Sequence, residues 1–243
     1  MESSLSPAKH SLNGNALKLI AIFAMTLDHL AWVFVPTASL SGQLLHVIGR
    51  LTAPIMCYFI AVGFTKTRDV RRYLLRLFIF ALISHIPYVW LATGKIQLLN
   101  ETSMIFSLFV SLLALVIYEN KRLPSWLKAL LIAACFAITL FSDWKILAVA
   151  WTLCFYIFRD DKKSMATWFI VISAVGAMFM AVTIYIGSGL WWRGAFHFGT
   201  LLALPLILLY NGERGKLKLR WLFYVYYPLH ILIIVLLRQY IFW

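Results

Sequence analysis

The run "LKLIAIFAMTLDHLAWVF", from Leu17 to Phe34, is apolar almost without interruption and long enough to cross a bilayer. Further apolar segments follow, giving nine in all: roughly 17–35, 46–64, 73–92, 103–118, 126–141, 145–158, 165–186, 196–210 and 221–241. Short polar linkers separate them, the briefest being Ser142, Asp143 and Trp144. A soluble domain cannot bury this much apolar surface. With 63% hydrophobic and 13% charged residues, the 243-residue chain reads as an all-α, polytopic transmembrane bundle of about nine spans. Residues 1–15 form a short polar tail, and 16–243 form a single transmembrane domain. Leu17–Val35 reads as a retained signal anchor rather than a cleaved peptide.

The net charge of +13 does not indicate nucleic acid, because the basic residues sit in linkers where topology explains them. With the N-terminus cytoplasmic, seventeen fall inside: Lys9, Lys18, Lys66, Arg68, Arg71, Arg72, Arg76, Lys121, Arg122, Lys128, Arg159, Lys162, Lys163, Arg214, Lys216, Lys218 and Arg220. Four fall outside, namely Lys95, Lys145, Arg193 and Arg238, and Arg50 lies near the outer end of the second segment. This bias predicts an N-in, C-out chain. Trp32, Trp90, Trp144, Trp191 and Trp192 then form an outer aromatic belt. Cys57, Cys135 and Cys154 lie within apolar segments without metal-ligand spacing, so neither a metal site nor a disulfide framework is predicted.

Ionisable groups inside spans are costly and concentrate at functional sites. Asp28 and His29 lie well inside the first segment. Lys18, Ile22, Met25 and His29 share one helical stripe, with Lys18 at its cytoplasmic rim. Adjacent residues point about 100° apart, so Asp28 needs a partner from another helix, and Arg50 is the first candidate. A structural ion pair is the competing reading for Asp28 and His29, and snorkelling to the interface the competing reading for Arg50. In the last segment Phe223, Tyr227 and His230 form one stripe, and Pro228 predicts a local kink. His230 falls at a depth similar to His29, which suggests a shared internal site; a packing role is its alternative. His85 with Tyr88, and Arg193 with His197, read equally well as interfacial structure.

No P-loop, zinc-binding histidine pair or serine-nucleophile elbow is present. A histidine at mid-depth suits general-base chemistry on an amine or hydroxyl, and a basic rim suits a phosphorylated donor. The same inventory fits a proton-coupled transporter or exporter, and a structural subunit of a secretion assembly remains a further class.

The segments "LKLIAIFAMTLDHLAWVF", "VIGRLTAPIMCYFIAVGFTKTRDVRRYLLRLFIFALISHIPY", "LILLYNGERGK" and "LFYVYYPLHILI" resemble the TraX family, which includes a conjugative-pilus protein that N-acetylates pilin. The similarity covers about residues 15–240. The chain is also more distantly similar to membrane acyltransferases of the acyltransferase-3 type, which modify surface glycans. Those carry a basic residue eleven positions before a catalytic histidine. Here these are Lys18 and His29, with lysine where that group has arginine. The resemblance implies an acetyl-CoA-dependent N-acetyltransferase in the bacterial inner membrane. Its partners are acetyl-CoA, a pilin-like peptide or other amine acceptor reached from the outer side, and the bilayer. O-acetylation of a glycan is the alternative. Candidate catalytic residues are His29, Asp28, Tyr227 and His230. Lys18, Arg50, Lys66, Arg68, Arg71 and Arg72 are candidate donor contacts.

Overall fold

The computed structural model describes residues 11–96, 102–217 and 220–242. Residues 1–10 of the polar tail, with Lys9, lie outside the described residues, as do Lys218 and the side chain of Arg220. The described chain is helical, and its only β contacts are two isolated bridges, Leu12–Tyr210 and Thr102–Ser142. The helices are α1 (Gly14–Phe34), α2 (Leu40–Gly49), α3 (Thr52–Lys66), α4 (Val70–Thr93), α5 (Met104–Glu119), α6 (Ser125–Thr139), α7 (Lys145–Ile157) and α8 (Lys162–Ser188). A 3-10 helix (Trp191–Leu202), α9 (Ala203–Leu208) and α10 (Arg220–Phe242) complete the chain.

Every apolar segment becomes helical. Among the described residues, five stretches are long and apolar enough to cross a membrane: Gly14–Phe34, Leu40–Lys66, Val70–Thr93, Lys162–Ser188 and Trp221–Ile241. Helices α5, α6 and α7 are shorter; α7, with 13 residues, spans only about 20 Å at the usual rise. Local signals set several starts. Asn13 accepts a hydrogen bond from the Ala16 amide, and Asp69 accepts one from that of Arg72. Asp161 caps α8, and its bonds from Ser164 and the Lys163 amide hold its carboxyl below the usual carboxylate range.

Two segments depart from the expected pattern. The second begins at Leu40 and is interrupted at Arg50 and Leu51, between α2 and α3. Pro54 lacks the amide that would bond the Arg50 carbonyl, so the helical ladder cannot continue evenly there. Arg50 therefore sits at a helix break inside the bundle. The eighth segment opens in a 3-10 helix of 12 residues, long for this geometry, and passes into α9. It is held by close packing: a β-carbon at Gly194 would meet Ala181 of α8, and one at Gly199 would meet the Val47 backbone of α2.

Helices α3 and α5 lie at the centre. Ile55 and Cys57 of α3 and Ser107, Leu112 and Leu115 of α5 are fully buried, as are Trp151 and Phe169 on α7 and α8. The outward faces are also apolar, with Leu75, Ile83, Phe179, Ile186 and Ile233 exposed, the pattern of a surface facing lipid. Long-range hydrogen bonds tie together two opposite ends. At one, Gly14 donates to Glu213, Asn15 to Leu217 and Lys66 to Gly212. At the other, Gln43 donates to Arg193, Thr102 to Phe141 and Arg238 to Leu91. One expectation for the aromatic belt is corrected. Trp144 is buried, its ring centroid 4.8 Å from the Arg50 guanidinium, because a cation inside the bundle recruits an aromatic face. Trp32 and Trp191 do lie exposed.

Candidate functional site

The stripe on α1 and the stripe on α10 meet. His29 Nδ1 and His230 Nε2 are 2.8 Å apart, and both residues are buried. His230 Nδ1 lies 2.7 Å from the backbone oxygen of Tyr226. A carbonyl can only accept, so His230 carries its proton on Nδ1 and, while neutral, accepts at Nε2. His29 must then donate from Nδ1, which leaves its own Nε2 as the lone-pair nitrogen. One turn toward the N-termini, the Thr26 hydroxyl donates to Ile22 O and accepts from the Tyr226 hydroxyl at 2.7 Å. The two helices are thus joined by two polar rungs.

Asp28 faces away from this seam. Its Oδ2 accepts from Arg50 Nη2 at 2.6 Å and its Oδ1 from His46 Nδ1 at 2.8 Å. The expected Asp28–Arg50 pair is present, and nearly no solvent reaches it. Trp144 and Phe196 cover the guanidinium, while Trp32 and Phe196 flank the His46 ring. His46 Nε2 and Arg50 Nε are buried without a hydrogen-bond partner. This cluster draws α1, α2 and the 3-10 helix together beside the histidine pair.

A cavity of about 340 Å³ lies between α1, α3, α4, α5 and α10. Among the described residues, Lys18, Lys66, Arg76 and Arg214 line it and no carboxylate does. Met25, Met56, Ile60 and Phe223 contribute apolar wall. Tyr227 and Met104 also line it, with Tyr227 Oη accepting from the Met104 amide at the start of α5, 3.3 Å away. The Tyr227 ring lies edge-on to both His29 and His230, with centroids 6.3 and 5.7 Å away. Lys18, Ile22 and Met25 therefore run along the cavity wall, while His29 and His230 lie outside the lining, beside Tyr227. Eleven residues of helix separate Lys18 from His29 by about 16 Å.

The candidate donor contacts sort into two groups. Lys18 and Lys66 line the cavity; Arg68, Arg71 and Arg72 are exposed outside its lining, and Arg72 pairs with Asp69. Arg50 lies outside the cavity lining, its guanidinium engaged by Asp28. Asp28 is likewise turned from the histidine seam. Sequence reasoning passed over His46, Arg76 and Arg214 as site residues. His46 and Arg50 are one helical turn apart, a spacing that could have marked the first. Arg76 is one of the basic residues that topology alone explains, yet its Nε is buried without a hydrogen-bond partner in the cavity wall.

Lipid-compatible outer faces around a buried histidine pair, an ionic cluster and a cation-rimmed cavity define a polytopic helical membrane protein with an internal polar site. The chain belongs to the TraX family: residues 13–238 match that family, described as TraX protein. It is 34% identical over 224 residues to a probable fimbrial assembly protein FimC, serogroup H1, of Dichelobacter nodosus, covering 88% of this chain and 91% of that protein. No solved structure matches it.

Proposed function

We propose that this chain is an acetyl-CoA-dependent N-acetyltransferase of the bacterial inner membrane, crossing it nine times with the N-terminus in the cytoplasm. The observation that carries this reading is the cavity: among the described residues, four cations and no carboxylate in its lining, apolar walls, and a histidine pair beside its tyrosine, Tyr227. Phosphates of a CoA donor find Lys18, Lys66, Arg76 and Arg214, which pair well with phosphate oxygens. The roughly 16 Å from Lys18 to His29 suits an extended pantetheine arm. The distribution of basic linkers and the pairing of alternate linkers at opposite ends support nine crossings.

The chemistry balances simply. The acceptor amine attacks the thioester carbonyl and forms a C–N bond. His29 Nε2 takes the amine proton, the C–S bond breaks, and the departing thiolate recovers a proton from His29. The Tyr227 hydroxyl, in the cavity lining beside both histidines, serves as donor to the developing oxyanion in this reading. An amine on a pilin-like peptide fits the kinship with a fimbrial assembly protein.

The test is transfer of label from acetyl-CoA to candidate peptides by the purified protein. Labelled amide should form, and His29→Gln should lower the rate by roughly a hundredfold while CoA still binds. Label on a hydroxyl would replace the amine acceptor. Full activity in a folded His29→Gln protein would remove His29 from the mechanism, and substrate flux without transfer would replace the enzyme by an exporter.

A further inference from the structure

The two buried histidines are not equivalent, and their hydrogen bonds distinguish them. Both nitrogens of His230 are engaged: Nδ1 with Tyr226 O at 2.7 Å, Nε2 with His29 Nδ1 at 2.8 Å. His29 has one nitrogen engaged in this way. A backbone carbonyl anchors the chain, so its polarity runs one way, from His29 Nδ1–H to His230 Nε2 and from His230 Nδ1–H to Tyr226 O. The bond on one ring nitrogen decides which tautomer the other presents. An unconstrained neutral imidazole prefers its proton on Nε2, which would leave His29 no lone pair there.

We infer that His230 is a positioning residue that holds His29 in the Nδ1–H tautomer, so that His29 alone acts as the base and does so through Nε2. The surroundings support this role. The Tyr226 ring stacks on the His230 ring with centroids 4.9 Å apart and planes 11° apart, restricting its rotation. The Tyr226 hydroxyl is tied to Thr26, three residues before His29 on α1. One residue, Tyr226, therefore supplies the carbonyl that polarises His230, the ring that packs on it, and the second rung fixing α10 to α1. When His29 becomes an imidazolium, its Nδ1–H bond to His230 is retained and strengthened by the charge. The rate consequences of this inference rest on the acetyltransfer reading; the tautomer assignment does not.

The test uses nitrogen NMR of the full-length protein in bilayers with 15N-labelled histidine, assigning His29 by its loss in His29→Gln. The wild type should show His29 protonated at Nδ1 and bare at Nε2. His230→Phe should move His29 toward the Nε2–H form and lower the rate at saturating acetyl-CoA by about tenfold or more, with the KM for acetyl-CoA unchanged. His230→Gln should rescue both, because its amide can donate to Tyr226 O and accept from His29. Should His230→Phe fail to fold, the wild-type tautomer and the glutamine variant decide. A wild-type His29 protonated at Nε2 overturns the inference, as does a folded His230→Phe protein with unchanged tautomer and rate. If no acetyl transfer occurs while the tautomers follow this scheme, the reaction is wrong and the orientation by His230 stands.

Discussion

Arg50 reaches Asp28 across two helices, its Nη2 2.6 Å from the carboxylate Oδ2, at the point where the α2–α3 helix breaks. Both side chains are almost wholly removed from solvent. A pair of this kind contributes little net stability against an apolar replacement, but loss of one partner strands the other's charge. Asp28→Asn should therefore destabilise the protein by about 3–5 kcal/mol, and Arg50→Met should recover part of that loss when added to Asp28→Asn. Unfolding in mixed micelles measures both. Equal stability of Asp28→Asn and the wild type would make the pair dispensable.

The proposed orientation gives a second prediction. Ser39 is half-buried at the N-cap of α2 and Arg71 is exposed near the start of α4, at opposite ends of the bundle. In intact cells, a thiol reagent that cannot cross membranes should mark Ser39→Cys and spare Arg71→Cys. The native cysteines are buried. Labelling of Arg71→Cys alone would invert the chain, and labelling of both would change the number of crossings.

The cavity separates cations that line it from cations that serve topology. Arg76 presents a buried, unpartnered Nε there, while Arg71 is exposed and is not part of the lining. Hydrogen bonds to charged groups are among the stronger ones. Arg76→Gln should weaken CoA binding by roughly tenfold or more, and Arg71→Gln should change it little. Titration of CoA into purified variants measures this. Equal losses for the two would replace a defined phosphate contact by a diffuse basic field.

Much of this arrangement was legible in the chain. The 3.6-residue period aligned Lys18, Ile22, Met25 and His29, and cavity wall and histidine pair follow that line. The cost of a lone carboxylate in an apolar helix pointed from Asp28 to Arg50. His46 is legible only through Arg50: one helical turn before that cation it shares a face of α2, and the pairing gains meaning once Asp28 is seen to lie between them. Arg76 was hidden for another reason: basic residues near a span's cytoplasmic end already have a topological explanation. Trp144 beside a short linker reads as interfacial until Arg50 is known to lie beneath it. The sequence "WWRGAFHFGTLL" carries no period that separates 3.0 from 3.6 residues per turn over so short a run. The tight contacts of Gly194 and Gly199 decide it only after α2 and α8 are in place.

The ionic cluster depends on a close approach at Gly49, the last residue of α2. A β-carbon there would run into the Cβ and carboxylate of Asp28, leaving that side chain no room in its present position. The cluster cannot yield easily, since Asp28 is held by both His46 and Arg50 and these are walled by Trp32, Phe196 and Trp144. Gly49→Ala should therefore act as an overpacking substitution costing about 1–3 kcal/mol, with part of the cost arising from weakened bonds to Asp28. Gly187→Ala near the end of α8 is the control, because nothing lies within 4 Å of the added carbon. Asp28→Asn in the Gly49→Ala background should cost less than it does alone, as both changes strike the same contact. A full additive loss in the double variant would mean that Gly49 serves α2 alone and does not seat Asp28.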